Sequence, residues 1–305
     1  MKVEKVGELN GHKGSIYKIA KGKNKDLILT FGGDGQVVEW NLETMENGIL
    51  RAKSEYKFFS GLYHRDSDAC FAGDMNGSVY RLLFQQKENN ISAWKTHLKG
   101  VFDLVEANDF IFSSGGDGTV TRWALDPFRP LETREVSPER MRSLLWDENR
   151  GLMLAGSTDG GIYILDPHTL RTVDLISNAH DSTVFSMKLV PDNKLLVSGG
   201  RDAFLNFWTY PDMELAHRIP AHLFTINDLA LSPCGRWLAS AGRDKEVRIW
   251  DLSNYQLLKV IDRLKYKGHS HSVNAVHWDL ETGLLCTAGD DNALKIWRIT
   301  EDKGE

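Results

Sequence analysis

No window of this sequence approaches the ~20 consecutive apolar residues that a membrane span requires. Its opening segment, MKVEKVGELNGH, has no apolar stretch long enough for a secretory signal. Cysteine is scarce. Cys70, Cys234 and Cys286 lie far apart, and their odd count and lack of C-x-x-C spacing offer neither a disulfide framework nor a cysteine-based metal site. Reduced thiols in the cytoplasm are the expectation, and nuclear residence would look the same. Positive charge is not in surplus: 37 Lys and Arg face 42 Asp and Glu, for a net charge of −5. A nucleic-acid partner is therefore not expected. There is no P-loop and no Gly-x-Ser-x-Gly elbow, and the glycine-rich turns precede strand patterns, so they do not cradle phosphate. No metal or cofactor set stands out; His269-Ser270-His271 reads as one structural and one exposed histidine. A long helical period is missing too.

What the sequence does have is a repeat. A small residue, a glycine and an aspartate lead into an alternating run that ends in tryptophan: TFGGDGQVVEW, SSGGDGTVTRW, SGGRDAFLNFW, SAGRDKEVRIW and TAGDDNALKIW. These close at Trp40, Trp123, Trp208, Trp250 and Trp297, and two weaker copies, AGDMNGSVYRL and AGSTDGGIYIL, close at Leu82 and Leu165. Successive intervals are 42, 41, 42, 43, 42 and 47 residues, the last lengthened by the charged insertion Asp262–Lys267. In the sixth copy TINDLALS, WLASAG, EVRIWDL and QLLKVI read as four short strands separated by SPCG and GRDK turns. Seven such units over residues 1–305 predict one all-β domain: a closed, seven-bladed β-propeller of four-stranded antiparallel blades. The last copy ends just after its third strand, while EKVGELNGH before His12 matches ELAHRIPAH before His222. The N-terminal strand is therefore expected to complete the seventh blade.

A histidine precedes each strong aspartate, giving His12/Asp34, His97/Asp117, His180/Asp202, His222/Asp244 and His269/Asp291 at separations of 22, 20, 22, 22 and 22. On these residues the chain resembles the WD-repeat (WD40) propellers over nearly its whole length, although only Trp250 is followed by the eponymous aspartate, Asp251. The resemblance implies hydrogen-bonded tetrads: Trp40/Thr30/His12/Asp34, Trp123/Ser113/His97/Asp117, Trp208/Ser198/His180/Asp202, Trp250/Ser240/His222/Asp244 and Trp297/Thr287/His269/Asp291. A hydrolase triad is the competing reading of Ser-His-Asp, but a catalytic triad occurs once and this trio recurs five times. Blades two and four depart. Asn76 and Asp159 hold the turn position, Ala72 and Ala155 replace the hydroxyl, and Ser54 and Ser137 stand near the histidine position. These two blades are expected to rely on apolar packing and to be the softest part of the ring.

The resemblance also implies a binding face, the one bearing the tetrad loops. By analogy, one projecting position per blade falls at Tyr17, Ser60, Phe102, Arg142, Phe185, Asn227 and Asn274. A second falls at Gly33, Met75, Gly116, Thr158, Arg201, Arg243 and Asp290. Tyr17, Phe102, Arg142, Phe185, Arg201 and Arg243 are the residue types that dominate interfaces. The expected role is a non-catalytic scaffold, monomeric within a complex, that binds a protein or peptide, with an acidic or phosphorylated segment as the suitable ligand class, and without a membrane or cofactor. Two alternatives stand beside it. One is a structural subunit that uses its sides, where Trp94, Trp146 and Trp278 would be exposed. The other is an enzyme with a channel site, which would need inward carboxylates or histidines where the inner strands read as aliphatic or aromatic.

Overall fold

Among the described residues, runs of four to nine residues with alternating or wholly apolar character fold into 28 strands, with a single four-residue helix. The computed structural model describes residues 1–84, 90–190 and 194–301. The chain begins with β1 (Lys2–Asn10). Blade one is β2 (Ile16–Lys21), β3 (Leu27–Gly32), β4 (Gln36–Asn41) and β5 (Ile49–Lys53). Blade two is β6 (Phe58–His64), β7 (Ala69–Asp74), β8 (Ser78–Leu83) and β9 (Asn90–Lys95). Blade three is β10 (Val101–Ala107), β11 (Phe110–Gly115), β12 (Thr119–Leu125) and β13 (Phe128–Glu135). Blade four is β14 (Met141–Asp147), β15 (Leu152–Ser157), β16 (Ile162–Leu165) and β17 (Thr172–Ile176). Blade five is β18 (Val184–Leu189), β19 (Leu195–Gly200), β20 (Phe204–Thr209) and β21 (Leu215–Pro220). Blade six is β22 (Ile226–Leu231), β23 (Trp237–Gly242), β24 (Val247–Asp251) and β25 (Gln256–Ile261). After α1 (Arg263–Tyr266), which occupies the charged insertion, β26 (Val273–Trp278), β27 (Leu284–Gly289) and β28 (Ala293–Thr300) form blade seven. Its outer strand is β1, paired antiparallel with β28 from Lys2↔Thr300 to Asn10↔Ala293. The chain therefore forms the seven-bladed antiparallel propeller that its repeat predicts, closed by the N-terminal strand.

Burial follows position in the blade. The second strands are almost wholly enclosed, and every residue of β7 (ACFAGD), β23 (WLASAG) and β27 (LLCTAG) is buried. Small residues let neighbouring blades approach there on both faces. The outer strands are wet: β17 (TVDLI) has four exposed residues out of five. Seven apolar clusters hold the ring, each between two adjacent blades. The cluster between blades seven and one joins Leu9 of β1 to Ile16, Trp40, Cys286 and Ile296. Trp278, expected at the surface, is 4% exposed and packs on Trp237 between blades six and seven. Trp94 is 46% exposed and Trp146 half-buried.

The innermost strands share one irregularity. In each blade the pairing of the first two strands skips one residue, between Ile16 and Lys18, Phe58 and Ser60, Val101 and Asp103, Met141 and Ser143, Val184 and Ser186, Ile226 and Asp228, and Val273 and Ala275. A β-bulge re-aims the extra side chain and bends its strand. Repeated seven times, it turns one residue per blade toward the same end of the channel.

Since β1 supplies the whole outer edge of blade seven, its removal exposes the β28 backbone and opens the cluster around Leu9. Deleting residues 2–10 is expected to produce aggregation or a large loss of melting temperature. A truncated protein that elutes as a monomer and melts like the full chain would contradict this closure.

Candidate functional site

The five Trp–His–Asp blades arrange their polar groups in one recurring chain. In blade six the Trp250 indole donates to Ser240 Oγ at 2.9 Å, and His222 Nε2 lies 2.7 Å from the same oxygen. His222 Nδ1 lies 2.9 Å from Asp244 Oδ1, and the Leu223 amide donates to Asp244 Oδ2 at 3.0 Å. A carboxylate only accepts, so Nδ1 is the donor. The chain repeats in blade one (Trp40–Thr30 2.7 Å, His12–Thr30 2.7 Å, His12–Asp34 3.0 Å). Blade five has Trp208–Ser198 at 2.9 Å, His180–Ser198 at 2.8 Å and His180–Asp202 at 2.9 Å. Blade seven has Trp297–Thr287 at 2.9 Å and both His269 contacts at 2.8 Å. Blade three differs. Trp123 and His97 reach Ser113 at 2.9 and 2.7 Å, but Asp117 is 3.4 Å from His97 Nδ1. There the Thr119 hydroxyl bridges them, 2.6 Å from the imidazole and 2.7 Å from the carboxylate.

These contacts leave no room for a Cβ two residues before the aspartate. One built on Gly242 would lie 2.2 Å from His222 Nδ1, and one on Gly32 would lie 2.5 Å from His12 Nδ1. Where the histidine is missing, the restriction lifts: blade two carries Asp74 at this point and blade four Ser157.

Blades two and four do not rely on apolar packing alone. Tyr80 and Tyr163 stand opposite the alanines that replace the hydroxyl, and their phenols donate to Asp74 at 2.9 Å and Asp159 at 2.7 Å. Asp74 also accepts from the Asn76 and Ser78 amides, and Ser137 donates to Asp159 at 3.1 Å. The large phenol takes up the space that histidine and hydroxyl fill elsewhere. The same third-strand position in three histidine blades clamps the carbonyl just before the histidine: Asn206 to Ala179 O, Arg248 to Ala221 O and Lys295 to Gly268 O, at 2.6, 2.8 and 2.8 Å.

The seven bulge residues line one cavity of about 290 Å³ at the channel mouth. Tyr17, Phe59, Phe102 and Phe185 bring rings, Arg142 a guanidinium, and Asn227 and Asn274 amides. Phe59 was missed by the sequence, which placed Ser60 here. Ser60 is instead buried one residue past the bulge and donates to Val101 O of the next blade at 3.0 Å. The rings run in series: Tyr17 meets Phe59 edge-on at 5.2 Å, and Phe59 stacks on Phe102 at 5.6 Å. Arg142 follows, 3.7 Å from the Phe102 centroid and 4.9 Å from that of Phe185. The second projecting position lies over the first, since a Cβ on Gly33 or Gly116 would lie 3.1 Å from the Tyr17 ring or 2.9 Å from that of Phe102. Arg201 and Arg243 occupy it on blades five and six; both are exposed, with no carboxylate partner among the described residues.

Below the mouth the channel is charged, contrary to the aliphatic or aromatic lining expected. Lys18, Asp103, Lys188 and Asp228 face the cavity. Lys18 Nζ lies 2.9 Å from Asp103 Oδ1, and Asp103 Oδ2 takes the Leu144 amide of blade four at 3.0 Å. Asp228 accepts from Ser186 of blade five and from the Val276 amide of blade seven, at 3.0 and 3.1 Å. Ser143 donates to Val184 O, Asn227 to Val273 O and Asn274 to Ile16 O. This inner girdle binds blade to blade around the channel. Burial disfavours the Lys18 ammonium, but Asp103 and Asp228 outweigh it and raise its pKa.

Such geometry places the chain among the β-propellers. The family model "WD domain, G-beta repeat" matches residues 3–41, 170–209, 213–251 and 261–298, just over half of the chain, and the chain belongs to this WD40 family. It is similar to the Denticleless protein homolog of Homo sapiens, 24% identical over 97% of this chain and 36% of that protein. It also resembles the probable cytosolic iron-sulfur protein assembly protein 1 of Candida glabrata, 26% identical over 59% of this chain and 43% of that protein. The chain thus spans about a third of the length of its Denticleless relatives. Among solved structures, the WD40 beta propeller domain of Doa1 superposes with a TM-score of 0.86 at 17% identity, covering 99% of this chain and 98% of that one.

Removing the Asp244 carboxylate orphans His222 and the Leu223 amide. Asp244→Ala is expected to cost roughly 1–3 kcal/mol. Asn76→Ala, whose side chain accepts a bond from Lys95 at 3.3 Å and meets no other hydrogen-bond partner among the described residues, should stay within about 0.5 kcal/mol. Equal denaturant midpoints for the two variants would contradict the assignment.

The same carboxylates set an acid limit. Burial raises the pKa of Asp202, Asp244 and Asp291, but the imidazole and amide hydrogen bonds outweigh it and hold all three below the ordinary range, Asp291 at about 2. An unfolded aspartate titrates near about 3.9, so the unfolded chain takes up protons first. Their contribution is present in full above about pH 4 and is lost as pH falls toward about 2. Denaturant midpoints followed from pH 5 to pH 2.5 should decline over that window, and less steeply in Asp291→Asn.

Proposed function

We propose that this propeller is a non-catalytic protein-interaction module whose partner docks on the face carrying the histidine–aspartate loops, over the channel mouth. The observation that carries the reading is the convergence of seven bulge residues on one cavity, four of them aromatic and one a guanidinium, beneath a rim bearing Arg201 and Arg243. Aromatic and arginine side chains are the types that concentrate binding energy. The rim arginines stand on a chain of net charge −5, which favours an acidic segment, its charge coming from carboxylates or from phosphorylation. Binding rather than catalysis fits the channel, because Asp103 and Asp228 are taken up by Lys18, Ser186 and backbone amides. A cytoplasmic or nuclear setting is compatible with this role, and no described helix is long and apolar enough to cross a membrane.

A second reading, a subunit that also uses its sides, is favoured by the exposed apolar outer strands, with Ile49 55%, Val173 57% and Trp94 46% exposed.

Arg201→Glu combined with Arg243→Glu should abolish partner capture in a pull-down with little change in melting temperature. Arg236→Glu, in the turn between β22 and β23 on the opposite face, removes a pair to the buried Asp251 and an exposed pair to Glu301, far from the mouth, and should leave capture intact. Loss of capture in the Arg236 variant alone would move the site to the other face.

A further inference from the structure

Arg142 stands apart from the other channel groups. Its guanidinium is packed between the Phe102 and Phe185 rings at 3.7 and 4.9 Å. Its Nε is buried with no hydrogen-bond acceptor, and no carboxylate lies within ion-pair distance among the described residues. A shielded charge without a partner is unfavourable, and burying it is tolerated where something else supplies the counter-charge. Desolvation, with Arg140 nearby, lowers its pKa to about 10, so it is still a cation at neutral pH.

The charges of the cavity do not balance. Lys18, Arg142 and Lys188 are three cations against the carboxylates of Asp103 and Asp228. Lys18 is neutralised by Asp103, with Asp228 adding to the attraction, and the Asp228 oxygens are taken by Ser186 and the Val276 amide. The cavity is left with one net positive charge, and neither Arg142 nor Lys188 has an ion-pair partner among the described residues. A carboxylate supplies one negative charge. A phosphate monoester supplies close to two, which would leave a surplus negative charge facing Asp103 and Asp228.

We infer that Arg142 is the anchor for a single carboxylate of the bound segment, and that the adjoining ring series Phe102–Phe59–Tyr17 receives a flat apolar side chain next to that carboxylate. This rests on the docking face proposed above and names what occupies its centre. The two rings hold the guanidinium in place before the ligand arrives, so little side-chain freedom remains to be lost on binding. A side-chain carboxylate of glutamate or aspartate and the free carboxylate of a chain end share this chemistry.

The test uses the full chain labelled with nitrogen-15 and follows the Arg142 Nε–H signal. Four short synthetic peptides serve as probes, each with phenylalanine beside the tested group: glutamate with capped ends, glutamine with capped ends, phosphoserine with capped ends, and alanine with a free C-terminal carboxylate. The glutamate peptide should shift the Arg142 signal and bind about ten-fold or more tightly than the glutamine peptide, the scale of one charge-assisted hydrogen bond. The free-acid peptide separates a chain end from a side chain as the source of the carboxylate: equal or tighter binding than the glutamate peptide assigns the chain end. Equal binding of the glutamate and glutamine peptides, or tighter binding of the phosphoserine peptide, would overturn the inference.

Arg142→Met keeps a long apolar side chain between the two rings. It should abolish the preference for glutamate while the melting temperature holds or rises. A fall of several degrees would instead make Arg142 a structural spacer and overturn the assignment. Failure here is distinguishable from failure of the docking face. Partner capture that survives Arg142→Met but is lost in the Arg201→Glu, Arg243→Glu double variant leaves the face standing and removes the carboxylate anchor.

Discussion

The whole molecule depends on closure. No single blade has a core of its own: each of the seven apolar clusters lies between two blades. Each blade is therefore stable only when both neighbours are present. A linear array of seven would leave two such surfaces open, together with the backbone edge of β28. The pairing of Lys2–Asn10 with Ala293–Thr300 removes all three exposures at once, and Leu9 completes the last cluster. It is also the contact of greatest sequence separation in the fold, and its entropic cost has to be met before it rewards the chain.

Two polar devices hold the blades against one another at different radii. Near the outside, the Trp–hydroxyl–His–Asp chain ties the loop after each outer strand to the following hairpin, and it restricts a neighbouring position to glycine. Blades two and four solve the same problem with a tyrosine–aspartate pair. The exchange is reciprocal in volume, since Ala72 and Ala155 make room for Tyr80 and Tyr163. At the channel, Ser60, Ser143 and Asn274 hand one hydrogen bond each to the next blade and Asn227 hands two, and Asp103 and Asp228 take amides from the blades beside them.

The repeat made the architecture legible. A 42-residue period with a fixed glycine, aspartate and tryptophan states blade count and strand order, because each falls on residues close in sequence, and the joining of the termini follows from the last copy lacking a fourth strand that the N-terminal segment matches. The channel mouth was less legible. The sequence aligned Ser60 where Phe59 stands, because blade two lacks the histidine that anchors the alignment, and a one-residue slip on a strand exchanges one face for the other. The signal was present: Phe58 matches Ile16 and Val101 as the buried residue just before the bulge. The charged lining escaped for another reason. Lys18 and Asp103 are 85 positions apart and meet across the channel, so no local pattern reports their pairing, and each alone looks like a polar interruption of an apolar strand.

That lining decides what the face can select. Aromatic rings alone bind many segments with little discrimination. Here the rings surround a channel in which the carboxylates are already occupied and one guanidinium is not. The carboxylates of Asp103 and Asp228 are engaged in joining blade to blade, through Lys18, Ser186 and the Leu144 and Val276 amides. The structural demand of closure and the chemical preference of the mouth are thus coupled. The carboxylates that hold the ring together are the ones engaged away from its central cation, which is why an incoming carboxylate is the counter-charge that suits it.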